Sequence, residues 1–172
     1  MKINATFLII AGLYFNVNWY LLLKLNGGYS IIAWISLILY FTICILQYTK
    51  INVAIIERLT ILCIGIALEL FFFRFSIVKY SDFDSGFVTM IGLWINFAAF
   101  FPLLIISKLK SIPMAIFTLG LSAPLSYWAG SNISTSITPI NKVVPIISIA
   151  IAWALCAILF VKINRNFEGK SS

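Results

Sequence analysis

The chain has 172 residues, of which 62% are hydrophobic and only 10% are charged, with a net charge of +7 and no histidine. A soluble domain of this size exposes too much of its surface to hide so many apolar side chains, so lipid must surround most of it. The basic residues stand singly at the ends of apolar runs, which is typical of membrane anchors, and nucleic acid is not expected as a partner. Without histidine, histidine-ligated metal sites and Ser-His nucleophile pairs are excluded, and we expect neither a metal nor a cofactor.

Six apolar stretches are each close to the length of about 20 residues that a helix needs to cross a membrane. In chain order their approximate bounds are 4–23, 29–48, 55–73, 87–106, 112–129 and 143–162. The first is expected to be a retained helix and not a signal peptide, because no small-x-small cleavage pattern follows it. Loop residues separate the stretches, including Asn26-Gly27-Gly28 and a Ser/Thr/Asn-rich segment at 131–142 that we expect to be exposed. The sequence predicts an all-α, polytopic membrane helix bundle with six transmembrane helices, in a single transmembrane domain over residues 1–172.

The distribution of lysine and arginine predicts the orientation of this bundle. One side, which includes both termini, carries eight basic residues: Lys2, Lys50, Arg58, Lys108, Lys110, Lys162, Arg165 and Lys170. The opposite side carries four: Lys24, Arg74, Lys79 and Lys142. Because cytoplasmic segments are enriched in these residues, both termini are predicted to be cytoplasmic, an N-in/C-in arrangement.

Glu69 is the only acidic residue well inside one of the six stretches. An ionisable side chain there costs roughly 2–3 kcal/mol on insertion scales, so it is expected to face a partner, water or a ligand. Gly65 lies four residues earlier on the same helix face and would let a neighbouring helix approach closely, which points this face into the bundle. Arg74 lies about 140° away around the helix. It is therefore expected to reach the outer headgroups instead of pairing with Glu69.

Polar and aromatic residues of other stretches are expected to meet Glu69 in the outer half of the membrane. Asn16 is a better candidate than Asn18 for an inward polar group, because it continues a stripe of Gly12 and Tyr20 at helical spacing. Asn16 and Tyr127 are the expected hydrogen-bond partners of Glu69. The candidate binding residues are Glu69, Asn16, Trp19, Trp94, Tyr127 and Arg74, and no catalytic residue is predicted.

Four short motifs in chain order carry a family resemblance. They are Phe15-Asn16-Val-Asn-Trp19, Gly65-x-x-x-Glu69, Leu93-Trp94-Ile-Asn-Phe97-Ala98 and Ala123-Pro124-Leu125-Ser-Tyr127-Trp-Ala129-Gly130. Over nearly its whole length the chain resembles an uncharacterised family, a domain of unknown function, of small six-helix bacterial inner-membrane proteins. It departs from that family after Ala98, where Ala99-Phe-Phe-Pro102 replaces small hydroxyl residues. The resemblance implies a multi-pass protein of the bacterial inner (plasma) membrane, and at most a loose association with envelope lipid metabolism.

Several functions fit these residues. The first is a non-enzymatic integral inner-membrane protein that binds a lipid-like ligand or a membrane-protein partner around Glu69, since no catalytic constellation is evident. The second is a small transporter or flippase with Glu69 as its coupling carboxylate. The third is a membrane-embedded lipid-modifying enzyme with Glu69 as general acid or base. A purely structural role, in which Glu69 locks the helices together, stands beside them. The expected partners are membrane lipids, with a membrane-protein partner or a second copy of the chain.

Overall fold

A computed structural model describes residues 5–25, 30–47, 50–107 and 111–171, without the side chains of 105–107 and 167–171. Within these ranges the chain forms six helices: α1 (Ala5–Lys24), α2 (Ile31–Ile45), α3 (Ile51–Arg74), α4 (Phe83–Ser107), α5 (Ile112–Ile133) and α6 (Val143–Ser171). The predicted turn at 26–28 and the basic residues Lys2, Lys108 and Lys110 lie outside the described residues, as does the side chain of Lys170.

The prediction of an all-α fold is confirmed. Five of the helices, all except α2, are long and apolar enough to cross a membrane. Helix α2 has 15 residues and is shorter than the predicted stretch 29–48. The other helices expose many large apolar side chains, whereas α4 is more deeply buried than they are and packs against α1, α2, α3 and α6. The architecture is therefore a helix bundle arranged around α4.

Polar side chains fix where three of the helices begin. The Ser30 hydroxyl accepts a hydrogen bond from the N–H of Ala33 at the start of α2, and Ser111 does the same for Met114 in α5. Asp82 precedes α4 and accepts from the N–H of Ser85 at 3.1 Å. Hydrogen bonds from Ser85 hold the pKa of the Asp82 carboxyl below its usual range. Each of these side chains satisfies a backbone N–H that the first turn of a helix leaves without a partner.

An aromatic stack joins α4 to α6 at the centre of the bundle. The rings of Trp94 and Trp153 lie nearly parallel, with centroids 4.9 Å apart. Phe97 meets Trp153 edge to face at 5.0 Å, and Phe101 meets Phe160 in the same way at 5.3 Å. Both geometries are the favourable ones for aromatic pairs. The stack therefore holds the side chain of Trp94 in a defined position between α3 and α6.

Helix α3 ends in a tight reversal. Ser76 adopts a left-handed backbone conformation with φ 54°, and the N–H of Ile77 turns back to the carbonyl of Phe72 at 2.8 Å. This conformation closes the C-terminus of the helix and is uncommon for a residue with a side chain. The reversal directs the chain after α3 back over the end of the bundle that contains Glu69.

Two connecting segments pair across this end of the bundle, and we call them the paired loops (79–81 and 136–138). The N–H of Thr138 donates to Lys79 at 2.8 Å, and the N–H of Ser81 donates to Ser136 at 3.0 Å. Tyr80 and Ile137 form an antiparallel bridge, in which Ile137 is buried. The prediction that segment 131–142 is an exposed loop is confirmed only in part: its first residues continue α5 to Ile133, and Ser136, Ile137 and Ile140 are buried in the loop that follows.

Candidate functional site

Glu69 is 1% exposed and accepts hydrogen bonds from three neutral donors. The indole Nε1 of Trp94 donates to Oε1 at 3.1 Å, and the hydroxyl of Tyr127 donates to the same oxygen. The hydroxyl of Tyr80 donates to Oε2 at 3.3 Å. These donors come from α4, from α5 and from the paired loops, so three separate parts of the chain meet at one carboxyl group.

Gly65 makes the contact between Trp94 and α3 possible. A methyl group at this position would overlap the indole of Trp94. The prediction that Gly65 permits close approach is therefore confirmed, although the group that approaches is a side chain of α4. Gly65 and Glu69, one turn apart on α3, therefore contact the same indole: Gly65 lies beneath the ring, and Glu69 accepts a hydrogen bond from its nitrogen.

A cavity of about 430 Å³ lies beside Glu69, within the range of small-molecule sites. Its walls are mainly apolar and aromatic, and they come chiefly from α1, α4 and α5. The polar lining residues are Asn16, Glu69, Thr118, Ser122, Ser126, Tyr127 and Ser131, and the tryptophans Trp19, Trp94 and Trp153 line it as well. Thr118, Ser122 and Ser126 follow one another at one-turn intervals along α5.

Glu69 is the only charged side chain among the described residues that line the cavity. The same part of the chain contains no group of three or more His, Cys, Asp or Glu side chains that could hold a metal ion. Chemically, the arrangement offers one hydrogen-bonding end around the carboxyl group and a long apolar wall. Such a site suits an amphipathic molecule.

Five of the six predicted binding residues line this cavity: Asn16, Trp19, Glu69, Trp94 and Tyr127. The sixth, Arg74, is exposed at the end of α3 and makes no ion pair with Glu69, in agreement with the predicted helix geometry. Tyr127 is a partner of Glu69, as predicted.

The predicted role of Asn16 needs correction. Its side-chain amide donates to the carbonyl of Gly12 in its own helix at 2.8 Å, so the expected hydrogen bond with Glu69 is not formed. Asn16 is exposed, and Asn18 is the buried asparagine of α1. The Oδ1 of Asn18 accepts from Ser36 of α2 at 2.7 Å. Asn18 therefore faces α2, a contact that the stripe of Gly12, Asn16 and Tyr20 did not reveal.

A family model described as a protein of unknown function, DUF2878, matches residues 8–159. The chain belongs to DUF2878. This confirms the resemblance seen in the four motifs, and the matched region contains every residue that lines the cavity. The chain matches no curated protein and no solved structure. Together with the five long apolar helices, family membership fits an integral, multi-pass membrane protein.

The sequence reasoning missed two contributors to the DUF2878 site. Tyr80 lies in a polar connector, and only the pairing of two distant loops brings its hydroxyl to Glu69. No local pattern signals that contact. The hydroxyl stripe of Thr118, Ser122 and Ser126 did have a signal, because residues four apart share one face of a helix.

A second buried polar cluster lies near the opposite end of α3. Glu57 and Arg58 are 1% and 0% exposed, and their side chains lie 3.7 Å apart. Asn164 of α6 donates to Oε1 of Glu57 at 2.8 Å, and Arg58 donates to the carbonyl of Cys44 in α2 at 3.4 Å. Arg58, which was counted among the basic residues on the side of the termini, is therefore buried within the bundle, and Glu69 is not the only buried acid. The cluster ties α2, α3 and α6 together.

Proposed function

We propose that this DUF2878 protein is an integral inner-membrane protein that binds a lipid-like ligand in the cavity beside Glu69. The observation that carries the proposal is a buried carboxyl group with three donors at the edge of a cavity with apolar, aromatic walls. A carboxyl group that served only to lock helices together would need no such space beside it. The cavity gives the polar group a second role, which is to receive the head of an amphipathic molecule.

The position of the cavity supports entry from the bilayer. Asn16 of α1 and Ser122 and Ser126 of α5 line the cavity and are also exposed, so it reaches the molecular surface between these two helices. The same surface carries exposed apolar side chains such as Leu13 and Leu121, which suit contact with lipid tails. A lipid-like molecule would therefore enter the cavity laterally from the bilayer, while its tail remains in an apolar environment.

Blocking the cavity tests this proposal. Ser122→Trp places a large ring in the cavity, and Leu121→Trp places the same ring one residue away on a surface that does not line it. Wild type and both variants would be purified in nanodiscs cut from native membrane, and the enriched small molecules identified by mass spectrometry. We expect one amphipathic molecule to be enriched with wild type and with Leu121→Trp, and to be lost with Ser122→Trp. Equal lipid profiles for all three, or a bound protein alone, would contradict the proposal.

We further propose that α2 crosses the membrane as well, which gives one bundle of six spans. Tyr40 of α2 donates to the carbonyl of Ala11 at 2.9 Å, and Ser36 bonds Asn18 at 2.7 Å, so α1 and α2 run antiparallel. Cys44 near the end of α2 packs in one cluster with Phe7 and Leu8. Despite its 15 residues, α2 thus returns almost to the level at which α1 begins.

The proposed orientation has both termini in the cytoplasm. Removing the buried Arg58 from the count leaves seven basic residues on that side against four on the other, so the charge bias persists. Single cysteines in place of Lys24, Gln47, Asn141 and Asn166, in a chain without its native cysteines, test this with a membrane-impermeant thiol reagent. In intact cells stripped of the outer membrane, Lys24→Cys and Asn141→Cys should react, and the other two only after lysis. Equal labelling of Lys24→Cys and Gln47→Cys would mean that α2 does not cross.

A further inference from the structure

We propose that the ligand of this cavity is a lipophilic cation, an amine or quaternary ammonium group on an apolar tail. This inference rests on the function proposed above and adds the chemistry of the ligand's head. It follows from three features of the site: the charge of the lining, the hydrogen-bonding capacity of Glu69, and the aromatic walls.

The first feature is a buried carboxyl group without a positive partner. Among the described side chains, the ion pair within 4 Å joins Arg58 to Glu57, at the other end of α3, and none involves Glu69. No Lys or Arg whose side chain the structure describes lines the cavity. A buried carboxylate is costly unless an opposite charge accompanies it or a proton neutralises it, and the cavity adjoins Glu69, so a cation that enters there meets an acid without a Lys or Arg partner among the described side chains. A phosphate or carboxylate head would meet this acid with no described Lys or Arg side chain in the lining to offset its charge, so the lining favours a cationic head over an anionic one.

The second feature is the remaining capacity of the carboxylate. An ionised carboxylate offers about four acceptor positions and no donor. Trp94 and Tyr127 occupy Oε1, and Tyr80 occupies Oε2, so Oε2 still has room for one more donor. An ammonium group can supply that donor, and a quaternary ammonium can supply its charge at the same place.

The third feature is the number of aromatic rings around the same space. Trp19, Phe97, Tyr127 and Trp153 line the cavity, as does Trp94, whose two faces are already covered by Gly65 and Trp153. Cations are attracted to the faces of such rings, most strongly to tryptophan, and the attraction grows when water is excluded. Trp19 is only partly buried and lies on α1, at the side where the cavity reaches the surface. It is therefore placed to meet a cationic head on its way to Glu69.

Three probes with the same tail test the inference: dodecyltrimethylammonium, dodecanol and dodecyl phosphate. Each would be titrated calorimetrically into protein in nanodiscs of zwitterionic lipid, with empty nanodiscs subtracted. We expect the cation to bind about tenfold or more tightly than the alcohol, and the phosphate to bind most weakly. In Glu69→Gln, which keeps the shape of the side chain, the cation should lose this advantage while the alcohol binds as before.

A second pair of variants keeps the test decisive if Glu69→Gln folds poorly. Trp19→Leu removes an aromatic face of the cavity, and Trp128→Leu removes an exposed indole outside it. Only Trp19→Leu should weaken the cation relative to the alcohol. If cation and alcohol bind equally and Ser122→Trp blocks both, the ligand site stands and its cationic character is wrong. Tighter binding of the phosphate would also overturn the inference, and binding of none of the three would contradict both proposals.

Discussion

The indole of Trp94 lies so close to Gly65 that no other amino acid fits at that position without moving it. This contact decides where the indole nitrogen points, and the nitrogen donates to Glu69 at 3.1 Å. Gly65 and Trp94 therefore act as one unit, in which the small residue of α3 sets the position of the hydrogen-bond donor of α4.

Gly65→Ala should displace Trp94 and lower the stability of the fold by about 1–3 kcal/mol, the usual cost of overpacking a filled interior. It should also weaken ligand binding, since the donor to Glu69 moves. Unfolding monitored by tryptophan fluorescence measures the first effect. Gly120→Ala is the matched control, because a methyl group there meets its nearest neighbours at an ordinary 3.6 Å. Equal loss of stability in both variants would contradict the special role of Gly65.

Tyr127→Phe removes one donor from Oε1 of Glu69 and keeps the ring against Phe72. Leaving a buried acceptor with one donor fewer should cost about 1–3 kcal/mol of stability. Tyr20→Phe, at an exposed tyrosine of α1, should cost almost nothing. Thermal unfolding in matched nanodiscs compares the two. A neutral effect of Tyr127→Phe would show that its hydroxyl does not stabilise the carboxyl group.

Asn164→Ala should destabilise the opposite end of the bundle without changing ligand binding. The substitution removes the donor to buried Glu57, a loss of about 1–3 kcal/mol. Glu57 lies 12 residues before Glu69, which is about 18 Å along a helix, so the cavity should be unaffected. Asn166→Ala, on the exposed side of α6, is the control. A drop in ligand affinity with Asn164→Ala would mean that the two polar clusters are coupled.

Thr138→Pro should loosen the paired loops, because proline lacks the N–H that donates to Lys79. The direct cost is about 0.5–1.5 kcal/mol for one hydrogen bond. The clearest effect should be a faster hydrogen exchange of the Ser81 amide, because this N–H donates across the same pairing. Hydrogen exchange read by mass spectrometry would show this. Asn141→Pro, an exposed position beyond the pairing, should leave the exchange of Ser81 unchanged.

The bundle could be predicted from the sequence because each helix is encoded locally, as a long apolar run between loop residues. Much of the site could also be predicted from the sequence. Glu69 stood out as an acid in such a run, Gly65 lay one turn before it, and Trp94 and Tyr127 were placed with it in the outer half of the membrane. The structure brings these residues together at one carboxyl group.

What could not be predicted depends on contacts between distant parts of the chain. Tyr80 reaches Glu69 only because segment 79–81 pairs with segment 136–138. Arg58 was counted as a basic residue at one membrane surface, and its burial could not be predicted because Asn164, which completes its cluster through Glu57, lies more than one hundred residues away. Asn16 and Asn18 lie about 200° apart on one helix, and the choice between them was decided by Ser36 of a neighbouring helix.

The most direct test of the central claim is a cryo-electron microscopy map of the protein in nanodiscs cut from its native membrane. The account predicts one elongated density in the cavity, with its head within hydrogen-bond reach of Glu69 and its tail leaving between α1 and α5. A cavity closed by its own side chains, with Glu69 bonded only to Trp94, Tyr80 and Tyr127, would contradict it and leave Glu69 as a lock between helices.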